Sequence, residues 1–484
     1  MTVHLVGAGP GDPGLLTVRG AELLGRSDVV IHDRLSASSL LELAPPTAEI
    51  IDVGKQTGES YTQAAINELL IARGRAVQCV VRLKGGDPFV FARGGEEAAA
   101  LEAAGVDYEV VPGITSAIAA PSYAGIPVTL RYSSTSFTVV TGHEDPEKDL
   151  PSVDWEALAA VGGTIIILMG IAHLPEITRR LESGGLPGST PVAVVRWGTR
   201  SSQQTVRATL NTINSHPLAP PSVIVVGDVA REHLGWFDKK PLLGKTVVVT
   251  RARLQAGSLA SLLGSAGAEV ISFPVIEIAD PPDGGAGLRG AASSVGAYDW
   301  VILTSANGAA RFLDAVGDSR RLAGVRLAAV GATTAAEIER RFLTPDLVPE
   351  SFVAESLLAA MPEPSPGGRV LLARAAVARD VLPAGLTEAG WTVDVVDAYR
   401  TVTASPDRSL VEAVTTADLV AFTSSSTVER FVEIVGIDRV PTAVASIGPV
   451  TTATARALGL SVDVDAGVHT VAGLVEAIVE WASG

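Results

Sequence analysis

Val80–Glu97 reads VVRLKGGDPFVFARGGEE, and it shares its plan with Gly7–Pro13, GAGPGDP. Each follows a short β-prone run, Val80–Leu83 and Val3–Val6, that gives way at once to glycines, a proline and one aspartate. Glycine lets the main chain approach a ligand and adopt positive φ, proline stiffens the loop, and the aspartate supplies one fixed charge. Strand ends that turn in this way are where an open α/β sheet receives a small ligand.

Working outward, apolar strand-like runs alternate with Ala/Leu-rich helical patterns almost throughout, which predicts α/β layers. At 484 residues and 47% hydrophobic the chain has material for several domains. A polar stretch between Gly142 and Asp154 reads as a connection between two lobes, about residues 1–141 and 142–235. A second change, WFDKKPLLGK at Trp236–Lys245, precedes a fresh strand at Thr246–Thr250. It sets a first unit at 1–235, a linker at 236–243 and a second unit at 244–484.

The second unit contains an internal repeat. VILTSANGAARFLDAVG from Val301 aligns with VAFTSSSTVERFVEIVG from Val420, and the segment from Val247 aligns with that from Val370. AAVGATTAAE from Ala328 aligns more loosely with ASIGPVTTATA from Ala445. Three matches in the same order predict two similar α/β lobes, each of strand–turn–helix units, facing one cleft.

Composition narrows the function. Lys and Arg number 37 against 53 Asp and Glu, a formal net charge of −16. Such a surface argues against nucleic acid, which needs clustered cations. The one cysteine, Cys79, excludes an internal disulfide and reads as an inert core residue. The N-terminus starts a strand with no signal-like segment, and the longest apolar run, Ile165–Met169, is too short to span a membrane; a soluble cytoplasmic protein is expected. No His, Cys or carboxylate cluster reads as a metal site.

The loops also narrow the ligand. A dinucleotide fingerprint needs its third glycine where Asp12 stands, and Pro10 removes a donor that a pyrophosphate would use. The negative charges of Asp12 and Asp87 repel a pyrophosphate but not a sulfonium cation. The pattern therefore favours S-adenosylmethionine over a nicotinamide dinucleotide.

GAGPGDP, HDR at His32–Arg34, VGK at Val53–Lys55 and RLKGGDPFVF at Arg82–Phe91 resemble uroporphyrinogen-III C-methyltransferases. So do VVPGITSAIAAPSYAGIPVT at Val110–Thr129, VTGHE at Val140–Glu144 and the Met169-Gly170 pair. The resemblance covers about residues 1–235 and implies the two-lobed tetrapyrrole methylase fold, usually a homodimer. It implies transfer of two methyl groups from S-adenosylmethionine to uroporphyrinogen III, leaving S-adenosylhomocysteine and giving precorrin-2, with no metal. Asp33 matches the family's proton acceptor and Lys55 its proton donor. An Asp33–Arg34 surface ion pair and a solvated Lys55 are the plainer alternatives. Pro10, Gly85, Gly86, Asp87, Val90, Thr115, Ser116, Met169 and Gly198 match its cofactor contacts; Thr115 and Ser116 also suit helix capping. QTGESYTQ at Gln56–Gln63 lacks a histidine frequent there, and LRY at Leu130–Tyr132 and RWG at Arg196–Gly198 depart from common forms.

Residues 244–484 resemble uroporphyrinogen-III synthases through VVVTRA at Val247–Ala252, the two Thr-Ser turns, AYRTV at Ala398–Val402 and IGPVTTATARALG at Ile447–Gly459. This implies ring closure of the linear tetrapyrrole hydroxymethylbilane with inversion of its last ring. Tyr399 matches a tyrosine that assists hydroxide departure. Thr304-Ser305, Thr423-Ser424 and Thr451-Thr452 each follow an apolar run and precede a helical pattern, where helix N-termini could grip the substrate's carboxylates; ordinary N-capping uses the same residues. The preferred reading is a bifunctional enzyme whose first half consumes what its second half releases. The alternatives are a methyltransferase with a C-terminal tetrapyrrole-binding or regulatory module, and a nicotinamide-linked oxidoreductase, which Asp12 opposes.

Overall fold

The computed structural model describes residues 1–33, 38–54, 61–143, 153–250, 253–349, 354–378 and 380–484. Lys55 and most of Gln56–Gln63 lie outside the described residues. Among the described residues no helix is long and apolar enough to cross a membrane.

The first sheet holds β1 (Thr2–Gly7), β2 (Val29–His32), β3 (Glu49–Asp52), β4 (Cys79–Lys84) and β5 (Tyr108–Val111). Its order is β3-β2-β4-β1-β5 and every pairing is parallel. Helices cover both faces, and the central strands β1 and β4 are buried almost end to end, with Arg82 and Lys84 the charged exceptions in an otherwise apolar β4. Cys79 opens β4 as a buried thiol, and burial pushes its pKa up.

The second sheet contains β6 (Phe137–Thr141), β7 (Thr164–Leu168), β8 (Pro191–Arg196), β9 (Gln204–Thr209) and β10 (Ser222–Val226), ordered β6-β7-β10-β8-β9. Only β6 and β7 run parallel. Residues 236–243, read from sequence as a linker, are packed. Phe237 is 3% exposed, and Leu242 is fully buried in a core with Val247, Val249 and Leu474.

Beyond them the chain forms β11 (Thr246–Val249) and β12 (Glu269–Ser272), then β13 (Ile276–Ala279), β14 (Trp300–Leu303), β15 (Arg326–Ala329), β16 (Arg369–Ala375) and β17 (Thr392–Thr403). It ends with β18 (Leu419–Phe422), β19 (Ala443–Ser446) and β20 (Val464–Asp465). Two sheets result, β12-β11-β18-β19-β20 and β13-β17-β16-β14-β15. Both are parallel except where β13 runs antiparallel to the distal half of β17.

Two similar lobes are present, but they do not each come from one sequence copy. β11 and β12 of the first copy pair with β18 and β19 of the second. β14 and β15 of the first copy pair with β16 and β17 of the second. Only residues 273–275 separate β12 from β13, too few for the crossover that a parallel neighbour needs. The chain therefore passes to the other sheet along the β13–β17 ribbon and returns after β17.

Candidate functional site

The turns after β1, β4 and β5 meet backbone to backbone. Gly9 and Gly86 exchange N–H···O bonds of 3.2 and 2.8 Å, and Ala8 N–H donates to the Lys84 carbonyl at 2.7 Å. A Cβ on Gly7 would stand 2.6 Å from Gly113 N and 2.7 Å from the Gly86 oxygen. Only glycine fits this junction. Gly9 and Gly86 also hold φ of +73° and +70°.

The two aspartates brace these turns. Asp87 accepts from Phe89 N at 2.8 Å and from Gly113 N at 2.9 Å, tying the β4 turn to the β5 turn. Asp12 accepts from Gly14 N at 2.8 Å and from the Tyr123 hydroxyl at 2.7 Å. Burial first, and then Asp12, push the Tyr123 phenol pKa far up. Their part in shaping the loops adds to the charge argument made from sequence, and Asp12 itself does not line the cavity that follows.

That cavity, of about 480 Å³, opens between the two sheets of the first unit. Pro10, Gly85, Gly86, Asp87, Val90, Thr115 and Ser116 line one side of it, and Met169 and Gly198 the other. The sequence-derived cofactor set is thus brought to one place, in a volume suited to a small-molecule ligand. Thr115 also caps its helix, its hydroxyl accepting from Ala117 N at 3.3 Å. Three other features lie beyond the sequence reading. Phe91, Met169 and Trp197 line the cavity with φ of 51°, 57° and 49°, a backbone form that concentrates at functional sites. Arg200 stacks on Trp197 with its guanidinium carbon 4.8 Å from the ring centre. Burial holds the Arg200 pKa below its usual range, opposed by Glu269 of β12.

Asp33 lies just past β2, beside the end of β4. It accepts from Arg82 Nη2 at 2.6 Å, and Lys84 Nζ stands 4.0 Å from its other oxygen. Both cations are nearly sealed from solvent, and both bond to Glu97 Oε1, at 3.2 Å from Arg82 and 2.9 Å from Lys84. Burial pulls the Lys84 pKa down, Arg82 adds to this, and Glu97 opposes it. The signal in the sequence was Arg82 and Lys84, two apart in a strand otherwise apolar, which demand a buried counter-charge. The surface pairing of Asp33 with Arg34 falls on a residue outside those described.

In the second unit, Thr304 and Ser305 follow β14. The Ser305 hydroxyl accepts from Gly308 N and donates to the Tyr399 hydroxyl, both at 3.1 Å. Tyr399 is 9% exposed and sits where the β16–β17 register shifts. Thr423 and Ser424 follow β18 at the matching position of the other sheet. Ser424 pairs with Ser426 at 3.2 Å instead of capping the backbone. Thr451 and Thr452 are buried, and Thr452 is bonded to Ser446 and Asp465, each at 3.0 Å. These six side chains therefore fall on two sheets, and Thr452 is engaged by the protein itself.

Comparison with known proteins gives this geometry its class. A model of the tetrapyrrole (corrin/porphyrin) methylases matches residues 2–214, and one of uroporphyrinogen-III synthase HemD matches residues 257–476. A porphyrin biosynthesis protein HemD of Ruminiclostridium josui is 38% identical over 445 residues, 89% of this chain and 88% of that one. A uroporphyrinogen-III C-methyltransferase of Bacillus subtilis is 40% identical over 359 residues, 72% of this chain and 74% of its own. An S-adenosyl-L-methionine-dependent uroporphyrinogen III methyltransferase of Methanosarcina barkeri is 49% identical over 236 residues, 48% of this chain and 92% of its own. The fold and the matches define a methyltransferase joined to a synthase. The chain belongs to the tetrapyrrole methylase family in its first half and to the uroporphyrinogen-III synthase family in its second.

Proposed function

We propose that the second half closes hydroxymethylbilane to uroporphyrinogen III with inversion of the last ring, and that the first half methylates that product twice to give precorrin-2. The observation that carries this reading is the cavity between the first two sheets, where turns from three strands and the far lobe converge on one small-molecule volume. S-adenosylmethionine suits it, because glycine turns let the backbone of Gly85 and Gly86 lie against a ligand that carries no phosphate. Bound there, it supplies a methyl group on a sulfonium.

Pro10, Gly85–Asp87 and Val90 form one wall, and Met169 and Gly198 the other; these residues would hold S-adenosylmethionine, whose methyl group must lie in line with the attacking pyrrole carbon. Asp33 takes the proton released as the ring rearranges, and Lys55 returns one. In the synthase half Tyr399 donates a hydrogen bond to the departing hydroxide, while the helix N-termini after Thr304-Ser305 and Thr423-Ser424 grip carboxylates. We place the division between the halves at 236–243, pairing of two chains through the methylase half, and the site of action in the cytoplasm.

The test supplies purified protein with fresh hydroxymethylbilane, with and without S-adenosylmethionine, and resolves oxidised products by isomer and mass. Type III isomer without the cofactor and a doubly methylated product with it are expected. Accumulation of the type I isomer alone would overturn the synthase assignment. Uroporphyrinogen III left unmethylated would overturn the other.

A further inference from the structure

β4 carries two cations where a buried strand normally carries none. Arg82 and Lys84 are 1% and 2% exposed, two residues apart and so on one face of the strand. Glu97, on the helix Gly94–Ala103, is fully buried between them. Its Oε1 accepts from Arg82, from Lys84 and, at 3.4 Å, from Gln63 Nε2. Its Oε2 has no hydrogen-bond partner among the described residues. Among the described charged members of the group Asp33 alone reaches solvent, its side chain 34% exposed.

Burying such a group is a poor route to stability, since removing charges from water costs about as much as their pairing returns. The arrangement instead aims two buried cations at one partly exposed carboxylate, with Glu97 sharing them. We infer that Glu97, acting through Arg82 and Lys84, is a positioning residue that sets the orientation and electrostatic surroundings of Asp33. The inference rests on the reading of Asp33 as proton acceptor. In that step a C–H proton of the methylated tetrapyrrole passes to an Asp33 oxygen. The electron pair stays to rebuild the ring double bond, and the acid then releases its proton to water.

The charged and titratable neighbours of Asp33 from each described element are Arg82 and Lys84 of β4, Glu97 of the helix, and His32, whose Nδ1 lies 3.3 Å from the Asp33 carbonyl. Asp52 of β3 stands beside His32 in register. With two cations and two carboxylates in the group, its charge is balanced. Neutralising Glu97 leaves both cations to Asp33, which strengthens their hold on that carboxylate and makes it a poorer proton acceptor.

The experiment measures methylation of uroporphyrinogen III by full-length protein as a function of pH. Glu97→Gln is expected to lower kcat about tenfold with KM for S-adenosylmethionine within about twofold. It should also move the acid limb of kcat down by about one pH unit. Lys84→Met should move that limb the opposite way, and Glu97→Gln combined with Lys84→Met should return it toward wild type. A merely structural role gives no such recovery, because the double variant loses more packing. Circular dichroism reports folding, and Lys84→Met carries the test alone if Glu97→Gln does not fold. Limbs unmoved in these variants, with Asp33→Asn inactive, overturn the inference and leave the Asp33 assignment standing. Full activity of Asp33→Asn overturns both.

Discussion

Gly7 and Gly113 stand back to back where β1 and β5 leave the first sheet, and a methyl group on Gly113 would lie 2.6 Å from the Gly7 Cα. The obstacle is main chain, which cannot swing aside as a side chain can. Gly113→Ala is expected to cost about 3 kcal/mol and to abolish S-adenosylmethionine binding by titration calorimetry. Gly95→Ala is the control, because a Cβ there meets nothing within 4 Å and alanine suits its helix. Unchanged binding in Gly113→Ala would mean that the three turns are not rigidly interlocked.

The segment between the halves is expected to behave as part of the fold. Phe237 packs on Tyr123 with ring centroids 4.8 Å apart, and Trp236 Nε1 donates to the Ser122 carbonyl at 3.0 Å. Lys240 lies 5.3 Å over the Phe237 ring. Phe237→Ala should cost about 3–5 kcal/mol, read as a lower first transition in scanning calorimetry. A flexible tether would show no change.

His4 gives the protein a pH response. Burial holds the pKa of this histidine below its usual value, against a 2.9 Å contact with Glu109 that favours the charged form. The folded chain thus keeps His4 neutral at a pH where the unfolded chain takes up a proton, so stability is lost as pH falls below about 6.5. The Tm of the wild type should decline between about pH 6.5 and 5, and His4→Gln should flatten that slope. The carboxyl of Glu109 is held low, first by Arg19, and contributes only at more acid pH. An identical slope in the variant would assign the decline elsewhere.

Tyr399→Phe separates support from chemistry in the synthase half. The Ser305 hydroxyl keeps its bond from Gly308 N when the phenol is lost. Stability should therefore change by about 1 kcal/mol or less, while type III isomer formation slows about tenfold or more. An unaltered rate would leave Tyr399 as a packing residue.

Much of the first half's candidate site could be read from the chain alone, because the turns that line its cavity are made of backbone. A turn that must present main chain to a ligand writes itself as Gly, Pro and Asp after a strand, as in Gly7–Pro13 and Gly85–Pro88. The charge group behind Asp33 was harder to see, since Glu97 is one of many acids in a helical pattern and only its burial singles it out. The α/β character of the second half was also legible. Its strand partnership was not, because a repeat shows which segments resemble each other and not which ones pair. The engagement of Thr452 with Asp465, and of Ser305 with Tyr399, depends on contacts between segments far apart in sequence.

The exchange of strands between the two sequence copies bears on how the chain is made. Val247 of β11 pairs with Leu419 of β18, so that sheet acquires its central neighbour only after β13 to β17 have been made. β14 to β17 lie close together in sequence and can close their sheet earlier. Emerging from the ribosome, the methylase half and then the inner lobe can fold as they appear. β11 and β12 meanwhile wait with an open edge, the state in which a chaperone or a neighbouring nascent chain would find them.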